Sequence, residues 1–190
     1  MTNQNDLTTM ITKLRHETKS YLYEVKMLVD ELNEADKLGV ISYFTYSLNI
    51  SHSPQEESLC LGSYHIRNMG RKPITNPYLC IKIPKESPFT FSGKYVYEHF
   101  KPSLKSGGGW ERTNDKSDKE EYWLRPLTNT TIEPNETLSF SNFQITWSHS
   151  ESYAGSIVAY MYSDQLKDGV AVINPINLNG TVYTQGDENE

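Results

Sequence analysis

A basic surface is the first thing this sequence lacks. It carries 18 Lys and Arg against 24 Asp and Glu, a formal charge of −6, and no stretch gathers its lysines and arginines into a stripe. Proteins that grip nucleic acid or anionic membrane surfaces rely on such stripes, so neither partner is expected. Long apolar runs are missing too. None approaches the ~18 residues of a membrane span, and mean hydropathy is −0.62, so no membrane insertion is expected. The start, "MTNQNDLTTMITKLRHE", has no basic segment followed by an apolar one, which excludes a Sec signal there. The expected location is the cytoplasm, or a particle or surface reached without Sec export. Asn49, Asn129, Asn135 and Asn179 stand in Asn-x-Ser/Thr triplets and are read as turn residues.

Cysteine is scarce: Cys60 and Cys80 are the two. Strand phase points Cys60 inward and Cys80 outward, so Cys80 is expected to be the more accessible. A bridge would need their Cβ atoms about 4 Å apart, so two free thiols in a reducing compartment are expected. The chemistry motifs are absent as well. There is no CxxC, no HxxxH or HxH pair and no Gly-x-Ser-x-Gly, so no metal, cofactor or catalytic residue is expected. His52 and His149 both sit in Ser-His-Ser at strand ends and could meet in space, with polar turn residues the plainer reading. "SGGGWER" at 106–112 lacks the Lys and the following helix that a phosphate loop needs. The run at 114–121 offers Asp115, Ser117, Asp118, Glu120 and Glu121, but not the Gly and Glu spacing of a calcium loop.

The chain does hold a long helical period. From residue 6 to 38, Leu7, Leu14, Tyr21, Leu28 and Ala35 fall at d positions and Ile11, Thr18, Val25 and Leu32 at a positions. Thr18 alone breaks the seam, and Gly39 stands at the helix stop. Such a seam over four heptads argues for a coiled coil. Leu22 and Val29 at e widen the stripe, and the alternative is an amphipathic helix packed on its own domain. A helix of this span is about 50 Å long and would overhang a β domain about 30 Å across. Self-association as a homo-oligomer, dimer or trimer, is therefore favoured, through Leu7, Ile11, Leu14, Tyr21, Val25, Leu28 and Leu32.

After Gly39 the period changes to two. Segments such as "VISYFTYSLNI", "SLCLGSYHIRN", "YLCIKIP" and "TLSFSNFQITW" alternate apolar and polar residues between Pro, Gly, Asn and Asp punctuation. The phase slips between Phe140 and Phe143, which predicts a bulge near Asn142. The reading is mainly β: an immunoglobulin-like β-sandwich of about eight strands preceded by one long N-terminal α-helix. In "HIRNMGRKPITNPYLCIKIP", a strand ends at Asn68, Gly70 is expected to take a positive φ, and Pro73 and Pro77 stop ladder pairing. The domains are a 1–39 helix, a 40–183 sandwich with a polar insert at 98–121, and an acidic tail at 184–190.

Two stretches, "IRNMGRKPITNPYLCIKI" at 66–83 and "IEPNETLSFSNFQI" at 132–145, resemble bacterial immunoglobulin-like adhesion and appendage domains. There "N-x-G-x-x-P-L-x-N" and "P-G-E-x-x-x-F" recur in this order. Asn135 stands here where those domains carry Gly. The resemblance implies the fold and a binding role, with no active site.

The polar insert is expected to be the most mobile part of the β domain. Trp110, beside three glycines, is its candidate exposed anchor, with Arg112 and Tyr122 as further binding candidates. The expected function is an oligomeric, non-enzymatic binding or scaffold protein with a protein or glycan partner. The alternative is a carbohydrate-recognising module of a surface, spore or phage assembly, and a β-sandwich hydrolase ranks behind both.

Overall fold

The computed structural model describes residues 2–35, 39–53, 55–97, 109–148 and 151–181, with helix side chains described from Thr8 to Asp30. The chain divides into two compact units, Met1–Leu38 and Gly39–Glu190.

The first unit is one helix, α1, Thr2–Ala35. No glycine or proline interrupts it, and 34 residues at 1.5 Å each give about 51 Å. The side chains of Leu7 and Leu32 and the expected helix end at 36–38 lie outside the described residues.

The second unit is a mainly β sandwich. Its strands are β1 Val40–Asn49, β2 Ser58–Asn68, β3 Ile74–Thr75, β4 Tyr78–Lys82, β5 Thr90–Ser92, β6 Val96–Tyr97, β7 Trp110–Arg112, β8 Glu121–Pro126, β9 Thr131–Ile132, β10 Thr137–Trp147, β11 Tyr153–Tyr162, β12 Val170–Ala171 and β13 Ile176–Gly180. One sheet runs β1-β2-β10-β5. The larger runs β12-β11-β4-β8-β7-β6, with β13 also on β11, and β3 pairs β9 apart from both. The major pairings are antiparallel, as hydrophobic alternation requires when one face of each sheet is covered.

Period two builds the core. β2 turns Cys60, Tyr64 and Ile66 inward, and β10 adds Phe140, Phe143, Ile145 and Trp147. Aromatic contacts tie the sheets together: Phe91 of β5 meets Tyr122 of β8 at 4.5 Å, and Phe140 of β10 meets Trp110 of β7 at 5.5 Å. The expected bulge is present, with the β2–β10 register shifting between Phe140 and Phe143. Asn142 takes φ 61 there, a left-handed conformation asparagine tolerates better than most residues. Opposite the bulge lies Gly62, where a Cβ would run into the Phe143 ring.

The two motif stretches meet around Asn68, which is fully buried. Its Nδ2 donates to Lys72 O at 2.8 Å and Ile132 O at 2.9 Å, while its Oδ1 accepts from Gly70 N at 2.9 Å. Its backbone N donates to Glu136 O, and its carbonyl accepts from Asn135 N. One amide thus joins the turn after β2 to the turn before β10. Asn135 fills its glycine-like place at φ 66. Gly70 does not take the expected positive φ; it serves the turn through its N–H.

Candidate functional site

The polar insert departs from its expectation where it is described. Residues 98–108 and the tail at 184–190 lie outside the described residues, but Trp110–Arg112 is a strand hydrogen-bonded to β8. Because Glu111 faces out, its neighbours Trp110 and Arg112 face in. Trp110 is therefore no exposed anchor: it is 4% exposed, its Nε1 donates to Ser139 O at 3.2 Å, and its ring stands edge-on against Phe140. Tyr122 is buried beneath Phe91. The three binding candidates do gather, with the Arg112 guanidinium 4.3 Å from the Tyr122 ring centre, but below the surface.

Arg112 also explains the acidic run. Its Nη2 donates to Asp115 O at 3.0 Å, to Glu121 O at 3.1 Å and to Asp118 O, and its Nε donates to Asn114 Oδ1 at 3.0 Å. An internal cation thus occupies the centre of the 114–121 turn. Asp115 accepts from the Ser117 hydroxyl and amide, which hold its carboxyl below the usual range. The amide of Glu121, then that of Glu120, does the same for Asp118. Among the described residues no group of acids, histidines or cysteines is placed to hold a metal ion.

Histidine chemistry is equally local. His65 stacks on Tyr43 at 4.9 Å, and its ring nitrogens pair with Ser139 Oγ and Thr45 Oγ1; burial lowers its pKa. The suggested meeting of His52 and His149 lies outside the described residues.

The outer face of the larger sheet is the richer surface. Leu79, Ile81, Tyr122, Leu124, Ala159 and Met161 face the core, so the alternate positions of β4, β8 and β11 face out. Tyr78 and Tyr162, register partners, stack at 5.1 Å with planes 12° apart, and Trp123 lies 6.1 Å from one and 5.4 Å from the other. Glu121 accepts from Trp123 Nε1 at 2.7 Å and pairs with Lys82 Nζ at 2.7 Å. Cys80 shares this outward phase but is fully buried, against the expectation that it is accessible. Its register partners are Trp123 and Tyr160, and large neighbours cover a small residue on a sheet face. Burial first, then the Glu121 charge, pushes its thiol up to about 12. Cys60 and Cys80 are both free.

Beside Tyr78 the face opens into a groove of about 790 Å³, bounded by the 76–78 kink, the β7–β8 hairpin and the loops at 126–130 and 163–167. In its wall Arg125 Nε donates to Glu111 Oε2 at 2.6 Å. Asp164 Oδ2 accepts from Thr75 Oγ1 and Asn76 Nδ2, both at 2.7 Å, which lowers its pKa. None of these residues was singled out in the sequence, because they come from distant segments that only the strand order brings together.

The helix carries its apolar stripe in the open. Ile11, Leu14, Tyr21, Val25 and Leu28 are 44–66% exposed, as are Leu22 and Val29 beside them. Thr18, the break in the seam, donates its hydroxyl to Leu14 O at 2.7 Å, so that hydroxyl has a partner within the helix.

No protein-family model matches the chain, and no curated protein does. Solved structures similar to it include a mutant of carbohydrate-binding module CBM3b from cellobiohydrolase 9A of Clostridium thermocellum. It is 16% identical over 72% of this chain and 99% of that one, with TM-score 0.39. The collagen-binding subdomain ACE19 of an Enterococcus faecalis surface protein is 13% identical over 73% and 97%, at TM-score 0.31. A family GH18 chitinase from Chromobacterium violaceum is 9% identical over 68% of this chain and 18% of that one, at 0.32. These three differ in what they bind or act on, and none assigns a function to this chain.

Proposed function

We propose that the protein is a non-enzymatic, oligomeric binding protein in which the helix gathers copies and each copy presents the outer face of its larger sheet. The carrying observation is the helix. Five seam residues stay about half exposed along it, and monomeric proteins rarely leave so long an apolar stripe uncovered. β-branched residues at a and leucine at d suit a parallel arrangement. The sandwich, with its own core, does not need the helix for burial of apolar surface.

The binding half of the reading is supported by the aromatic group Tyr78, Trp123 and Tyr162 and the groove beside it. In the groove Glu111 pairs with Arg125, and Asp164 is oriented by two hydrogen bonds to its Oδ2. Such groups position a ligand rather than attack one. Linking several such faces raises avidity without any new contact.

A cysteine placed in the seam tests the assembly. Leu14→Cys should form an interchain disulfide under mild oxidation, because equivalent d positions lie side by side in a parallel coiled coil. The native thiols are buried and should not compete. Absence of the crosslink at Leu14→Cys and Leu28→Cys alike would contradict a parallel assembly.

A further inference from the structure

Within that reading, and resting on it, the groove beside Tyr78 allows its ligand class to be named. We infer that it is a subsite for a neutral, hydroxyl-rich ligand, a short glycan. Its volume, about 790 Å³, falls among small-molecule clefts of about 300–1,000 Å³.

Charge selects first. The groove's acids are Glu111 and Asp164, and its bases are Arg125 and Lys167. Glu111 is paired with Arg125 at 2.6 Å, and the Lys167 charge acts on Asp164. Two positive and two negative groups sum to no net charge, so the lining has no excess of one sign to favour an anion or a cation.

Polar valence selects next. Asp164 Oδ1 accepts no hydrogen bond from the described residues, whereas Oδ2 accepts two. An unpaired, exposed carboxylate oxygen suits a ligand that donates hydrogen bonds, as sugar hydroxyls do. The loop bearing it is held in advance. Thr75 N donates to Gln165 Oε1 at 3.1 Å, Gln165 Nε2 donates to Thr75 Oγ1 at 2.9 Å, and Asp164 N donates to Thr75 O at 3.1 Å. Pre-ordered groups lose less entropy on binding.

The apolar wall completes the match. Tyr78 is 36% exposed and fixed by its stack on Tyr162, and Leu127 is 40% exposed. A pyranose ring has a C–H face for such a surface and a hydroxyl rim for Asp164. A peptide adding as a strand would need a row of free backbone N–H groups, and Pro77 and Pro126 in the wall have none.

The test is a printed array of neutral hexose, pentose and N-acetylhexosamine oligosaccharides, with sulfated glycans and a peptide array as comparison. It is read with the full chain and followed by calorimetry on the best neutral glycan. The expected result is retention of neutral glycans. Asp164→Ala should weaken binding about tenfold or more, with the sandwich still folded by circular dichroism and the melting temperature lowered only by the loss of its two hydrogen bonds to Thr75 and Asn76. Tyr78→Ala should weaken it too. Blank neutral spots with an intact Leu14→Cys crosslink would overturn the glycan assignment and leave the assembly standing. So would preference for sulfated glycans, or peptide capture sensitive to Asp164→Ala. Neutral-glycan binding indifferent to both variants would overturn the groove as its site.

Discussion

Asn174 clips the edge of the smaller sheet at Phe44: Phe44 N donates to Asn174 Oδ1 at 2.8 Å, and Asn174 Nδ2 donates to Phe44 O at 2.9 Å. One side-chain amide thus imitates a neighbouring strand. The next link is Ile173 N donating to Ser42 O at 2.9 Å, while Val172 N still donates to Ala159 O on β11. The chain leaving β12 therefore crosses from the edge of one sheet to the edge of the other. Open edges invite pairing between molecules, and this crossing covers β1 at Ser42 and Phe44.

Asn174→Ala should cost about 1–2 kcal/mol, the net worth of two hydrogen bonds, and should raise light scattering at high protein concentration. Denaturant unfolding and scattering measure the two effects. A variant as stable and as free of aggregation as wild type would show that the clip is incidental.

Asn68 should matter more, because its three side-chain partners lie at a buried position. Asn68→Ala strands Lys72 O, Ile132 O and Gly70 N, and should cost about 3 kcal/mol. Asn68→Asp should not rescue it, since a carboxylate cannot donate to the two carbonyls. Urea unfolding of the pair checks both statements.

Trp110→Ala should destabilise by about 3–5 kcal/mol, the range for emptying a buried large aromatic site. Arg112→Lys should open the 114–121 turn, because one ammonium cannot span Asn114 Oδ1 and three backbone carbonyls in a planar fork. Limited proteolysis should then cut within 114–121 in the variant and not in wild type.

The thiols give a pH prediction. Burial raises Cys60 to about 11 and Cys80 to about 12, from the ordinary 9.0. A raised folded-state value means that the unfolded chain gives up its thiol protons first. The stability contribution is complete below pH 9.0 and is lost as pH rises from there towards about 12. Native protein at pH 8 should resist thiol reagents, and both cysteines should react on unfolding. Rapid native labelling of Cys80 would mean that Trp123 and Tyr160 do not cover it.

What could be read in the sequence was whatever depends on near neighbours. Alternation marked β2, β4 and β10, the slip at Asn142 marked the bulge, and "RNMG" with "IEPNE" marked the turns that Asn68 joins. What could not be read depends on which strands lie together. Cys80 has an outward phase, yet its fate was decided by Trp123 and Tyr160 across the sheet. Trp110 stood in polar, glycine-rich text, and only pairing with β8 turned it inward. The groove joins residues near 76, 111, 125 and 164, a meeting that no local pattern announces. The one local hint was Asn76 before Pro77, a turn signal that also marks the groove wall.

Sedimentation equilibrium of the full chain at about 30 micromolar, where an association of about −7 kcal/mol is visible, tests the central claim most directly. Wild type should sediment as a dimer or trimer of the 21.8 kDa chain. Val25→Asp with Leu28→Asp should sediment as a monomer with the β unit still folded by circular dichroism. A monomeric wild type would contradict the account, and so would loss of the β fold in the double variant, which would make the helix part of the sandwich's own core.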